Sequence, residues 1–272
     1  MHVFQVGAGS GGIVVLDLLA RDERVTTVTL VEPDVYRAKN VHRHVFPPSA
    51  VGALKVDLAA AWVRERRPDV AVEVIPADLT DPAARDAITA AVAACDVGVC
   101  AVDNEPAKYA FDALMRQAGK PWTLGEVLSG GIGGWVHRFT PGGACYGCVA
   151  SHLQRTVTEE PAAPPPDYAD PGAAVAETTI PAGKASISVI AGLHAVVTLG
   201  MLEEADRGAD DFTSLLFTLK RVPGVFDGAF RPFRFQVAKS PACLICSTAP
   251  TPVAGEDLDV ALDHALARLG KN

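Results

Sequence analysis

Clustered positive charge is scarce in this sequence. Its 24 Lys and Arg are outnumbered by 32 Asp and Glu, leaving a formal net charge of −8, and there is no extended basic tract. Binding along a phosphate backbone depends on clustered Lys and Arg. Duplex DNA or RNA is therefore argued against as the main partner, whereas one nucleotide needs only a few donors. Long apolar runs are lacking too. The nearest, ASISVIAGLHAVVTLGML at 185–202, carries His194 and several small residues, and it reads as a buried helix rather than a membrane span. The opening MHVFQVGAGSGG has neither the basic start nor the cleavage site of a signal peptide, so a cytoplasmic protein with no membrane partner is expected. Cysteine is sparse, six in 272 residues. With 49% hydrophobic residues the chain can build a core that needs no disulfide.

What is present begins with alternation. Apolar strand-like segments at 2–6, 26–32, 71–79 and 96–103 alternate with helical patterns at 13–20, 55–70, 81–95 and 106–119. Pro82 lies just inside the start of one helix, and Gly119 ends another. Such alternation predicts a parallel sheet covered on both faces, with its ligand beyond the carboxyl ends of the strands. After residue 122 come Gly-rich strands and turns and a Pro/Ala-rich stretch at 158–180 that reads as a flexible crossover loop. A buried helix at 184–203, β-like segments near 214–218 and 230–237, and a helical tail at 248–272 complete the chain. One domain over 1–247 followed by that tail is the simplest division.

VGAGSGG sets Gly7, Gly9 and Gly12 in G-x-G-x-x-G register between a strand and a helix. The first glycine allows a tight turn, the second lets a phosphate approach the backbone, and the third permits close helix packing. The helix start offers free N–H groups to an anion. Glu32 ends the next strand, where a carboxylate can accept hydrogen bonds from a ribose. These features predict a nucleotide and leave NAD and ATP both open.

The residues downstream separate the two. A hydride-transferring enzyme needs no Asn–Arg–Lys set after the ribose acid, whereas displacing a phosphate requires charge to be neutralised. Asn40 and Arg43 fall three apart, so one helical turn would present them together. Lys55 follows Gly52, and Asp103 ends the fourth strand, where a carboxylate can hold Mg²⁺.

In this order the motifs resemble a known family, the E1-like activating enzymes of the ThiF, MoeB and HesA kind. The glycine loop, LVEPD, NVHRH, VGALK, VDN and two C-x-x-C pairs carry the resemblance from residue 3 to about 247. It implies a Rossmann-like α/β fold of mainly parallel strands with helices on both faces and a zinc-stapled C-terminal β extension. It also implies an adenylyltransferase that uses ATP and Mg²⁺ on the C-terminal carboxylate of a ubiquitin-like or sulfur-carrier protein or a peptide. Carried over residue by residue, Glu32 binds the ribose and Asp34 lies beside it. Asn40, Arg43 and Lys55 hold the phosphates, and Asp103 binds Mg²⁺. Arg43, Lys55 and Asp103 are the expected catalytic set. Homodimerisation is implied as well, with a heterodimer as the alternative.

Cys145, Cys148, Cys243 and Cys246 form two C-x-x-C pairs, the four thiolates of a closed tetrahedral zinc site. They would pin the crossover region to the C-terminal strands. Redox use is the alternative, but neither pair is expected to open a helix that would lower a thiol pKa. Cys95 and Cys100 read as buried small hydrophobes.

The chain departs from the family pattern in three places. No cysteine lies between Cys148 and Cys243, so no covalent capture on a crossover cysteine is expected. The N-terminal helix that carries an arginine in relatives has no counterpart ahead of the first strand. His44 stands for the usual Gln and Lys108 for a common Arg, while His42 reads as surface. Two other functions stay open at this point: a non-catalytic nucleotide-binding half of a heterodimer, and an NAD(P)-dependent oxidoreductase.

Overall fold

The computed structural model describes residues 1–153, 180–203 and 212–247. Eight strands form one sheet: β1 His2–Val6, β2 Thr27–Val31, β3 Ala71–Ile75, β4 Val97–Cys100, β5 Trp122–Val127, β6 Gly133–Phe139, β7 Ser214–Thr218 and β8 Pro232–Phe235, in the order β3-β2-β1-β4-β5-β6-β7-β8. Pairings from β3 across to β5 are parallel, and those from β5 to β8 antiparallel. The chain thus makes a mixed α/β fold with a parallel half and an antiparallel extension.

The helices are α1 Gly12–Ala20, α2 Lys55–Arg66, α3 Arg85–Ala94, α4 Glu105–Gln117, α5 Tyr146–His152 and α6 Lys184–Leu202. Their apolar sides fill two clusters. One joins Ile13, Leu16 and Leu19 of α1 with Val56 and Val63 of α2 and Ala191 and Ala195 of α6. The other joins Ile88 of α3, Phe111 and Met115 of α4, Trp122, Phe139 and the four C-x-x-C cysteines. Burial on both faces explains why β1 and β4 read as near-continuous apolar runs rather than alternating ones.

Four local expectations change. Pro82 belongs to a 3₁₀ turn, Pro82–Ala84, placed ahead of α3 rather than inside it. The fourth strand stops at Cys100, which leaves Asp103 in the loop before α4. Cys145 is the N-cap of α5, so the first pair does open a helix. Helix α6 is long and apolar enough to cross a membrane by length and composition, so the expectation that no apolar run reaches that length changes. The reading of this stretch as a buried helix agrees with its buried Ile187, Ile190, Ala191 and Ala195. Its His194 and Thr198 are also buried and hydrogen-bonded: the His194 ring meets Thr123 at 2.9 Å, and Thr123 meets Thr198 at 2.7 Å. That ring lies where a Cβ on Gly125 would be. The tail at 248–272 and nearly all of the 158–180 loop lie outside the described residues.

Candidate functional site

Strand β1 has β2 on one side and β4 on the other, so chain direction across the sheet reverses there. The space beyond the carboxyl ends of β1 and β4 is the switch point of an open α/β sheet. A cleft of about 730 Å³ occupies it. All nine residues assigned to a nucleotide from the sequence line this one cleft: Gly7, Gly9, Gly12, Glu32, Asp34, Asn40, Arg43, Lys55 and Asp103.

The three loop glycines differ in what they permit. Gly7 adopts φ +97°, and a Cβ there would strike the Ala101 carbonyl. A Cβ on Gly12 would strike the carbonyl of Gly7. At Gly9 nothing among the described residues lies within 4 Å of where a Cβ would project, so their packing does not require this glycine and they leave the space above it open. Below the loop, Gln5 donates from Nε2 to the carbonyls of Gly7 at 2.9 Å and Gly12 at 2.8 Å. Sequence reasoning missed Gln5. The signal was available: a polar residue among the apolar Val3, Phe4 and Val6 of the strand HVFQV.

Glu32 holds the loop from the side. Its Oε2 accepts from the Ala8 N–H at 2.7 Å and its Oε1 from the Asp34 N–H at 2.9 Å. An ionised carboxylate has about four acceptor positions, so half of them stay available. Asp34 forms a 2.6 Å ion pair with the buried Lys55 at the start of α2. Asn40 and Arg43 lie on one 3₁₀ turn, Ala38–Arg43, and Asn40 Oδ1 accepts from the Arg37 N–H at 3.0 Å. The Arg43 Nε–H is buried without a partner among the described residues. An orphaned guanidinium donor in a cleft wall is costly unless an anion meets it.

His44 packs its ring against Phe46, with centroids 4.6 Å apart, and lies 3.1 Å from the Ala8 carbonyl through Nε2. A carbonyl only accepts, so Nε2 carries the proton and Nδ1 is an acceptor, buried and without a partner among the described residues. Burial lowers the pKa to about 4 against the hydrogen bond to Ala8, and the charges of Lys184, Lys55 and Arg43 push the same way. His42 is exposed.

At the far wall, Asn104 caps α4 by accepting from the Ala107 N–H at 2.9 Å. The neighbouring Asp103 carboxylate has no hydrogen-bond or ion-pair partner among the described residues. Lys108 is buried and bonded to both Glu105 and Glu126. It and Glu126 line the cleft, a pair that sequence reasoning did not assign to the site.

The second candidate centre is the cysteine cluster. The Cys145, Cys148, Cys243 and Cys246 sulfurs all lie within 4.8 Å of one another. Three Sγ–Sγ distances are 3.7, 3.6 and 3.5 Å. Four sulfurs around zinc at about 2.3 Å stand roughly 3.8 Å apart in a regular tetrahedron, so the donor set fits zinc. Backbone N–H groups of Ser240 and Ile245 each reach a sulfur at 3.4 Å, as suits thiolates. Cys95 and Cys100 are buried elsewhere, with burial raising their thiol pKa values to about 11 and about 12.

Known proteins share this architecture. An Escherichia coli MccB crystal structure with ATP matches with TM-score 0.66 and 16% identity, over 90% of this chain and 66% of that one. MccB with MccA-N7isoASN matches with TM-score 0.68 and 17% identity, over 90% and 67%. The SAMP-activating enzyme E1 of Haloferax volcanii is 33% identical over 149 residues, 54% of this chain and 53% of its own length. Ubiquitin-like modifier-activating enzyme 5 of Bombyx mori is 26% identical over 165 residues, 57% of this chain and 41% of its own. The chain thus spans about half the length of the curated relatives it matches. The ThiF family model matches residues 1–233. With that match running from β1 into β8, the chain belongs to the ThiF family.

Proposed function

We propose that the chain is an ATP- and Mg²⁺-dependent adenylyltransferase acting on the C-terminal carboxylate of a ubiquitin-like protein, a sulfur carrier or a peptide. The observation that carries this reading is the gathering of Arg43, Lys55 and Asp103 around a glycine loop left open at Gly9. Family membership supports it, as do the names of the curated relatives, which are activating enzymes.

In the proposed reaction a carboxylate oxygen attacks the α-phosphorus. The bond from that phosphorus to the oxygen bridging to the β-phosphate breaks, and pyrophosphate leaves with the electron pair. Carboxylate and triphosphate repel each other, so the site has to supply positive charge and hold them in line. Glu32 accepts the ribose hydroxyls with its remaining lone pairs. Arg43 gives its unpartnered N–H to phosphate, and Lys55 adds an ammonium at the start of α2. Mg²⁺ held by Asp103 supplies further charge neutralisation at the phosphates. With no cysteine between Cys148 and Cys243, the acyl adenylate passes directly to an external nucleophile. The cysteine cluster holds a structural zinc. The protein works in the cytoplasm as a homodimer, with neither nucleic acid nor membrane as a partner.

Exchange of labelled pyrophosphate into ATP, with substrate present, tests the reading. Asp103→Ala is expected to lower exchange by about a hundredfold or more while the melting temperature holds. Unchanged exchange removes Asp103 from the reaction. ATP binding without exchange, restored by a partner chain, would instead identify half of a heterodimer. Binding of NADH in place of ATP sinks the adenylation reading.

A further inference from the structure

The charges lining the cleft cancel before any ligand arrives. Its walls carry five carboxylates and five Lys or Arg side chains. Two of the cations are already engaged: Lys55 by Asp34, and Lys108 by Glu105 and Glu126. A triphosphate entering this balanced site gains from any positive charge added to that set.

Lys184 stands just beyond these walls. It is the first residue of α6, and its Nζ donates to the Ser10 carbonyl at 3.2 Å, in the middle of the glycine loop. Ala182 and Ile187, on either side of it in sequence, line the cleft together with Ser10. Ile187 Cγ2 lies 3.5 Å from where a Cβ on Gly11 would project, so the first turn of α6 packs directly on the loop. No carboxylate forms an ion pair with Lys184 among the described residues. Burial alone lowers its pKa, with no counter-charge acting against it.

We propose that Lys184 is a phosphate-binding residue, brought over the glycine loop by α6, that turns from the Ser10 carbonyl to the phosphate chain of a bound nucleotide. The proposal rests on the adenylation reading for its role in turnover, where the lysine would offset charge on the departing pyrophosphate. A partly desolvated ammonium bound to one carbonyl gains most from an anion, and the flexible lysine stem lets it move there by torsion alone. A carbonyl partner, unlike a carboxylate, leaves the full positive charge for the ligand.

The test compares the full chain with Lys184→Ala and Lys184→Arg. Affinities are measured by calorimetry for ATP, AMP and inorganic tripolyphosphate, together with pyrophosphate exchange and melting temperature. Lys184→Ala is expected to weaken ATP and tripolyphosphate about tenfold, the loss of one charge-assisted contact. AMP affinity should change by less than about twofold on the same scale, and Lys184→Arg should recover most of the loss. Equal weakening of all three ligands, or no weakening of any, overturns the proposal. If the unaltered protein binds tripolyphosphate through Lys184 but shows no exchange, the adenylation reading fails and the phosphate site stands. If it binds none of the three ligands, both fall.

Discussion

At the cysteine cluster four sulfurs lie within 4.8 Å of one another and present one kind of donor to one centre. In the cleft, by contrast, Lys55 is bound to Asp34, Lys108 to two glutamates, and Glu32 to two backbone N–H groups. Cleft residues therefore build the site and face its ligand at once. A side chain's residue type announces its task in the first region. In the second the task depends on what the side chain already holds. The two regions meet through α4. Tyr146, between the paired cysteines, donates its hydroxyl to Glu105 at 2.8 Å, and Glu105 also holds Lys108.

The largest effect should come from breaking the cluster. Structural zinc on thiolates contributes folding free energy directly. Removal of metal by a chelator, or Cys243→Ser, is expected to cost at least several kcal/mol and to lower Tm by about 10 °C or more. The link through Tyr146 and Glu105 predicts reduced pyrophosphate exchange in the same samples. Purified protein that holds no zinc, melts at the same temperature with and without chelator, and has four freely titratable thiols would show that the cluster is not a metal site.

A smaller effect separates two glycines three residues apart. Gly12→Ala drives a Cβ into the Gly7 carbonyl, and backbone must shift, at a cost of about 2 kcal/mol or more. Gly9→Ala meets no atom of the described residues within 4 Å. Its stability should stay within about 0.5 kcal/mol, while ATP binding weakens about tenfold or more because the methyl occupies the phosphate's approach. Denaturant unfolding and calorimetry on both variants check this. Equal destabilisation would mean that Gly9 also serves packing and that the open space is not reserved for a ligand.

How far the sequence revealed these two regions follows from the same contrast. The alternating strands and helices through Gly119 were legible because their apolar periodicity is set by burial on a sheet, which neighbours in sequence report. The C-x-x-C pairs and the G-x-G-x-x-G register were legible because spacing alone defines them. Asn40, Arg43, Lys55 and Asp103 could be assigned only as an ordered set, since each alone suits a turn or a surface. The tie between Lys108 and Glu126 escaped because it spans eighteen residues and two elements, whereas Gln5, bonded to Gly7 and Gly12 close by in sequence, went unused although it was visible. The opening of α5 at Cys145 escaped for a related reason. Its buried residues pack into a cluster formed by α3, α4, β5 and β6, and no seven-residue pattern reports that.

The smallest expected effect concerns two of the three histidines buried among the described residues, both of which line the cleft. His44 lies beside the Ala8 carbonyl and His194 against Thr123, and burial brings each to a pKa of about 4. An unfolded histidine takes its proton near pH 6.5. Between these values the unfolded chain binds more protons than the folded one. Stability is thus fully present above about pH 6.5 and is lost as pH falls toward 4. Each histidine accounts for about 2 kcal/mol of that loss by pH 5. His44→Gln leaves a polar side chain beside Ala8 and removes one titration. Comparing urea unfolding of the variant and the unaltered protein at pH 7 and pH 5 cancels the carboxylates and thiols common to both. The fall in stability should be smaller in the variant by about 2 kcal/mol. An identical fall in both would mean that His44 gains its proton in the folded protein as readily as in the unfolded chain, and that the cleft wall around it is wet.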